Sequence, residues 1–168
     1  MQTQENAQMS TAYTIECIGA DGQVKWSEEF HNLVTTAGLN DLLTQYFKGS
    51  AYTAAFYVGV TGATPTFAAG DTMASHAGWT ESSAYSQATR PALTLGTASS
   101  GSISNSASKA QFSINADATI GGAFIVTNST KGGTTGTLYG GGAFTEGNRI
   151  VKDGDTINVQ ATLTAASA

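Results

Sequence analysis

Residues 156–164 read Thr-Ile-Asn-Val-Gln-Ala-Thr-Leu-Thr, and polar and apolar side chains alternate along this stretch without exception. Successive side chains of a β-strand point to opposite faces of the sheet. The alternation therefore predicts a strand with one buried face, formed by Ile157, Val159, Ala161 and Leu163.

The same two-residue period recurs through much of the chain. Near the N-terminus it places Tyr13, Ile15 and Cys17 on one face, and a Gly19–Gly22 turn then predicts a hairpin. Cys17 lies in the inward phase and is interpreted as a core residue. The stretches with a strand pattern are residues 11–18, 24–27, 51–60, 110–116, 120–127, a start at 137 and 156–164.

One segment has a different period. Apolar residues between 33 and 47 recur at three- and four-residue spacing, which predicts an amphipathic helix over residues 36–47. Thr35 or Thr36 is the expected N-cap, and Gly49 is expected to end the helix.

The pattern as a whole contains eight or nine short strands and one helix, with turn signals every 8–15 residues. It predicts a mainly β protein, an antiparallel β-sandwich or jelly-roll-like fold with one short α-helix. Residues 1–10 are polar and aperiodic, and they are expected to form a flexible N-terminal arm before a single domain at 11–168. Residues 120–127 are apolar on both faces, which predicts a central strand. Gly140–Gly142 suggest a bulge or a close backbone approach.

Composition excludes several classes of protein. Charged residues make up 11% of the 168 residues, too few for a coiled coil. Seven Lys and Arg residues and a net charge of −5 argue against nucleic-acid binding. The apolar stretch Ala123-Phe-Ile-Val126 has four residues, against the roughly 20 that a membrane helix needs. The N-terminus lacks the features of a secretory signal, so synthesis in a cytoplasm is expected.

Residue types that carry catalysis are few. His76 lies in a long polar loop, residues 61–83, with Asp71 and Glu81 near it in sequence, but a metal site needs three or four converging ligands. Asp153 and Asp155 flank Gly154 and resemble only part of a calcium loop, so a hairpin turn is predicted at Asp153-Gly154 instead. No catalytic, cofactor or metal site is predicted, and a small lyase or esterase is the least favoured reading.

Two groups of residues are candidate partner contacts. Trp79 and Tyr85 flank the polar loop and could stack on a sugar, contact a partner subunit or anchor the loop. Gln2, Thr3 and Gln4 in the expected arm could become ordered on a neighbouring chain.

The outward strand positions carry mostly Thr, Ser, Asn, Gln and Ala rather than Lys and Glu. Ala, Thr, Ser and Gly together account for 87 residues, just over half of the chain. A free monomer usually maintains its solubility with mixed surface charge, whereas interface cores are depleted in charge. The composition therefore favours a subunit that is largely covered by neighbours.

Several motifs resemble those of virion proteins of tailed bacteriophages. These motifs span about residues 24–164 and include Phe30-His-Asn-Leu-Val-Thr-Thr-Ala-Gly-Leu-Asn-Asp-Leu-Leu43, Gly78-Trp-Thr-Glu81, Tyr85-Ser-Gln-Ala-Thr-Arg-Pro91, Asn128-Ser-Thr-Lys-Gly-Gly133 and Thr137-Leu-Tyr-Gly140.

The resemblance implies a non-enzymatic structural protein without catalytic residues. The expected function is capsid decoration, in which a dimer or trimer bridges neighbouring capsid subunits on the outer surface of the head. The expected partners are the major capsid protein and further copies of this chain, with no nucleic acid and no membrane. The alternative is a tail- or fibre-associated adhesin that binds host surface polysaccharide.

Overall fold

A computed structural model describes residues 7–48 and 55–167. Within these residues the chain is mainly β, with antiparallel sheets and one helix, as predicted. The elements are β1 (Ala7–Ile18), β2 (Val24–His31), β3 (Leu33–Val34), α1 (Thr36–Lys48), β4 (Tyr57–Thr61), β5 (Ser102–Ser104), β6 (Ala110–Ser113), β7 (Ala118–Ile120), β8 (Gly122–Val126), β9 (Leu138–Ala143), β10 (Arg149–Val151) and β11 (Thr156–Ser167). The described part of the chain thus has eleven strands, more than the eight or nine predicted.

The first and last strands, β1 and β11, form the centre of the largest sheet. β1 and β11 pair antiparallel along their whole length, from Ala7↔Ser167 to Ile18↔Thr156. β2 extends this five-stranded sheet beyond β1, and β5 and β6 pair with successive parts of β11. The predicted hairpin between β1 and β2 is confirmed, with Gly22 at a φ of 77° in its turn.

The prediction of a flexible arm is wrong for residues 7–10. These residues belong to β1, because Ala7–Ser10 complete the ladder with Thr164–Ser167 of β11. A polar, aperiodic segment can be held in this way by backbone hydrogen bonds that do not depend on its side chains. Residues 1–6, including Gln2, Thr3 and Gln4, lie outside the described residues.

A second sheet has the order β3-β9-β8-β4, and β7 and β10 form a separate pair. β8 lies between two strands and all five of its residues are buried, so the predicted central strand is confirmed. Alternate β8 residues face two different apolar clusters. Ala123 and Ile125 join the main core with Tyr13, Ile15 and Cys17 of the five-stranded sheet, whereas Phe124 and Val126 face a smaller cluster.

The smaller cluster is covered by a long connection that we call the cover loop, residues 62–95. Its residues Met73 and Trp79 pack with Phe124 and Val126 of β8, and Phe67 packs against the same cluster. The Phe67 and Trp79 ring centroids are 5.0 Å apart, and those of Trp79 and Phe124 are 4.8 Å apart. The cover loop therefore shields the second face of the four-stranded sheet.

α1 begins at Thr36, as predicted, and it ends at Lys48, one residue after the predicted range. The hydroxyl oxygen of Thr35 accepts a hydrogen bond from the Gly38 N–H at 3.1 Å, which confirms Thr35 as the N-cap. Gly49 lies outside the described residues. No helix in the described ranges is long and apolar enough to cross a membrane.

The predicted close approach at Gly140–Gly142 is confirmed. A Cβ on Gly140 would lie 2.5 Å from the Leu33 carbonyl oxygen of β3, and a Cβ on Gly142 would meet the His31 backbone. The turn at Asp153-Gly154 forms, but the predicted hairpin is wrong, because the two strands that flank the turn do not pair with each other. The turn connects β10, which pairs with β7, to β11 in the large sheet.

Candidate functional site

Trp79 and Tyr85, the two aromatic residues that flank the polar loop, are both buried. Trp79 is 6% exposed in the cover-loop cluster, and Tyr85 is fully buried in the main core, where its ring meets Phe112 edge-on at 5.0 Å. Lys131 lies over the Tyr85 ring and donates a 2.8 Å hydrogen bond from Nζ to the Tyr85 carbonyl. Neither ring presents a face to a sugar or a partner, and of the three predicted roles the geometry supports loop anchoring.

The cover-loop residues considered for metal binding or acid–base chemistry do not converge. Asp71 Oδ2 accepts hydrogen bonds from Trp79 Nε1 at 3.2 Å and from the Ala68 N–H at 3.0 Å. The His76 ring stacks on Trp79 with centroids 3.8 Å apart, and Glu81 turns instead toward Arg90. No cluster of three or more His, Cys, Asp or Glu residues that could hold a metal ion occurs among residues 7–48 and 55–167.

Asp71→Ala is expected to lower the free energy of unfolding by about 1–2 kcal/mol, because the buried Trp79 N–H loses its acceptor. Asp71→Asn is the matched control, since the amide oxygen can still accept from Trp79 and a smaller loss is expected. Urea unfolding followed by Trp fluorescence measures both variants. Equal losses in the two variants would contradict this role for the Asp71–Trp79 bond.

Glu81 and Arg90, which both lie in the cover loop, form a buried ion pair. Further hydrogen bonds from this pair reach the loop after β8. Arg90 donates from Nε to Glu81 Oε1 at 2.9 Å and from an Nη2 to Oε2 at 2.6 Å. Its guanidinium also donates to the carbonyls of Asn128 and Gly133, and Glu81 accepts from the Gly132 N–H. We call this set the Arg90 clamp. No local motif in the sequence indicates it, because the partners lie 9 to 43 residues apart along the chain.

The Asp153-Gly154-Asp155 turn is an ion-pair site rather than a calcium loop. Asp155 is buried, accepts from Lys25 Nζ at 2.5 Å and from the Lys152 N–H at 2.8 Å, and lies 3.7 Å from Cys17 Sγ. Burial alone would raise the pKa of Asp155, but the hydrogen bonds from Lys25 and Lys152 hold it below its ordinary value. Burial, with the neighbouring Asp155 charge, raises the pKa of Cys17 to about 12, so the thiol stays protonated at neutral pH.

The outward face of the five-stranded sheet carries mostly small or neutral side chains. We call this surface the sheet face. Its residues are half-buried or exposed. Glu16 forms an ion pair with Lys109 at 2.9 Å, and Glu29 is the other carboxylate in the array. Strand register places its rows as Ser27-Glu16-Asn158-Gln111, Glu29-Thr14-Gln160, His31-Ala12-Thr162-Ser104 and Ser10-Thr164-Ser102.

A second surface is apolar and lies at α1. Leu39, Leu43, Tyr46 and Phe47 are exposed on the helix, and we call them the α1 surface. Next to it lies a groove of about 500 Å³, the α1 groove, between the helix and the ends of β1, β5 and β11. Its mostly apolar walls include Met9, Leu42, Phe56, Ile103, Tyr139 and Leu163.

The sequence does not indicate that the α1 surface is a site. Its pattern predicts these residues only as one side of an amphipathic helix. Apolar residues at 39, 42, 43, 46 and 47 have the ordinary spacing of a helix face that packs on a core, so no local signal marks them as exposed.

No protein-family model matches the chain, and no curated protein matches it.

Proposed function

We propose that this chain is a non-enzymatic structural protein of a tailed-bacteriophage virion, a decoration subunit that binds the outside of the head. The observation that carries the proposal is the sheet face. Four rows of side chains run in register across its strands, and all but Glu16 and Glu29 are small or neutral. Such a face loses little free energy when a neighbouring protein removes its water, because few charges have to be desolvated.

The proposed fold is a jelly-roll-like β-sandwich. Its two layers are the five-stranded and four-stranded sheets, and the supporting observation is that buried side chains from both contribute to one main core. In this arrangement the inner face of the large sheet packs in the core, and its outer face is available to a partner.

The proposed partner of the sheet face is the major capsid protein. A standard protein–protein interface buries about 1,600 Å². A subunit placed across a junction between capsid proteins would oppose their separation under the pressure of packaged DNA. The net charge of −5 supports a position on the outer surface, away from the DNA. The protein would be made in the host cytoplasm and be present in the virion.

The alternative function, an adhesin that binds host surface polysaccharide, is less well supported than capsid decoration. It required exposed aromatic rings at Trp79 and Tyr85, and both rings are buried.

The location is tested by counting copies of the protein in purified virions and by immuno-electron microscopy. Hundreds of copies with label on the head are expected. A handful of copies with label at the tail, or absence from the particle, would overturn the proposal.

The attachment surface is tested by adding purified protein to shells from a phage that lacks its gene. We expect Ser10→Lys with Thr162→Lys to weaken shell binding at least about 100-fold, because two charges with no carboxylate opposite them in the register would be buried at the interface. The control is Ala74→Lys with Thr134→Lys, which adds the same charge at exposed positions outside the sheet face. Melting temperatures verify that both variants fold. Equal shell occupancy by the two variants would exclude the sheet face.

A further inference from the structure

The α1 surface combines projecting side chains with an adjacent cavity. Tyr46 and Phe47 are 80% and 74% exposed at the C-terminal end of α1, and Leu43 is 52% exposed. Tyr46 also forms part of the wall of the α1 groove, so the projecting rings and the cavity belong to one continuous patch. Contiguous exposed apolar patches of this kind mark interaction sites.

A patch that carries both a projection and a cavity can be complementary to itself. In a two-fold symmetric dimer the same patch is used on both subunits, so whatever projects from one copy must fit a recess in the other. The groove of about 500 Å³ has room for an aromatic side chain. We propose that the chain forms a two-fold dimer through α1, in which the Tyr46 and Phe47 end of each helix fills the α1 groove of the other copy.

The charge of the helix fits a copy of this chain. The whole chain has a net charge of −5, which opposes association of two copies in general. The charged residues within α1 are Asp41 and Lys48, whose charges cancel. The α1 surface is therefore a part of the molecule where a second copy can approach without net repulsion.

The available area also fits a dimer. At their observed exposure, the Tyr46 and Phe47 side chains offer about 300 Å² per copy. Two copies thus contribute about 600 Å² from these rings, and the exposed leucines with the groove walls bring the total toward the roughly 1,200 Å² at which stable interfaces begin.

The other large apolar side chains that the described residues expose are those of Leu33, Val24 and Ile150. Val24 in β2 and Ile150 in β10 are 60% and 64% exposed, but neither lines the groove. They supply a matched control, because replacing them removes exposed apolar area without changing α1.

Sedimentation equilibrium of the full chain is expected to show a dimer. Tyr46→Ser with Phe47→Ser should weaken dimerisation at least about 30-fold, the effect of losing one aromatic hot spot. Val24→Ser with Ile150→Ser should leave the dissociation constant unchanged. A monomeric parent protein, or a dimer that both double variants weaken equally, would overturn the proposal.

A photo-crosslinker tests the occupant of the groove directly. p-Benzoylphenylalanine at position 47 should yield a cross-linked dimer on a denaturing gel, with the attachment mapped by mass spectrometry to Ile103, Leu163 or Ala165. Crosslinks only within one chain, to residues away from the groove, or to a co-purifying protein would each reject the dimer. The outcome is independent of shell binding, since a Tyr46 and Phe47 variant can be monomeric and still occupy shells through the sheet face.

Discussion

Arg90→Met is expected to lower the free energy of unfolding by about 3–5 kcal/mol, the usual cost of removing one partner from a buried ion pair. Arg90 is 1% exposed, and its removal would leave the buried Glu81 carboxylate and the carbonyls of Asn128 and Gly133 without their donor. The loop after β8 would thereby lose the two side-chain hydrogen bonds that Arg90 donates to it from the cover loop. Urea unfolding, with the transition followed by circular dichroism, measures the loss.

The control for this prediction is Lys152→Met, which removes an exposed ion pair. Lys152 and Asp117 are 2.6 Å apart, but their side chains are 58% and 61% exposed. No resolvable change in the unfolding midpoint is expected, because water and salt screen such a pair. Adding Glu81→Gln to Arg90→Met should recover at least about 1 kcal/mol, since the unpaired carboxylate is then gone. Strictly additive losses would show that the two residues do not act as a pair.

Gly140→Ala is expected to cost about 3 kcal/mol, near the upper end for overpacking. The new methyl group would lie 2.5 Å from the Leu33 carbonyl oxygen and 2.7 Å from Asn32 Nδ2, so β3 would have to move away from β9. β3 leads directly into Thr35, whose N–H donates to the Tyr139 carbonyl at 3.0 Å. Displacement of β3 would therefore also loosen the start of α1.

Gly70→Ala is the matched control, because a Cβ at Gly70 meets no atom within 4 Å. This variant should be neutral or slightly stabilising, since alanine restricts the unfolded chain more than glycine does. Thermal unfolding of the two variants side by side measures the difference. Similar melting temperatures would mean that β3 accommodates the methyl group at little cost.

The predicted core strands were accurate where the pattern is local. The inward residues of β11 and β1 follow from alternation alone, and Ile157, Val159, Tyr13 and Ile15 are all buried. The helix and its Thr35 cap were equally predictable, because periodicity and capping depend on residues within a few positions of each other.

The sequence could not show what lies on the second face of β8. It did indicate that this strand is apolar on both sides, which requires a cover. The cover turned out to be residues 62–95, a polar segment in which Met73 and Trp79 supply the contacts. The sequence therefore leaves open whether Trp79 stacks on a sugar, contacts a partner subunit or anchors the loop, because its partner Phe124 lies 45 positions further along the chain.

Glu28 illustrates the same limit for charged residues. It occupies an inward position of β2 and is buried, which becomes acceptable only because Arg149 lies 2.6 Å away. The pair spans 121 residues, so a local reading of the strand has no means to find it.

By itself, the sequence determined the helix, the main strands β1, β8 and β11, which side chains of β1 and β11 face inward, and how little charge the outer positions carry. These properties depend on neighbours along the chain. The tertiary structure alone decided that Ala7–Ser10 join the β1–β11 ladder, that Glu81 meets Arg90, that Tyr85 is buried and that the Tyr46 and Phe47 rings are left beside an open groove. The physical reason is that these contacts join segments whose separation along the chain carries no local signal, and their formation depends on how the sheets, the cover loop and α1 pack together.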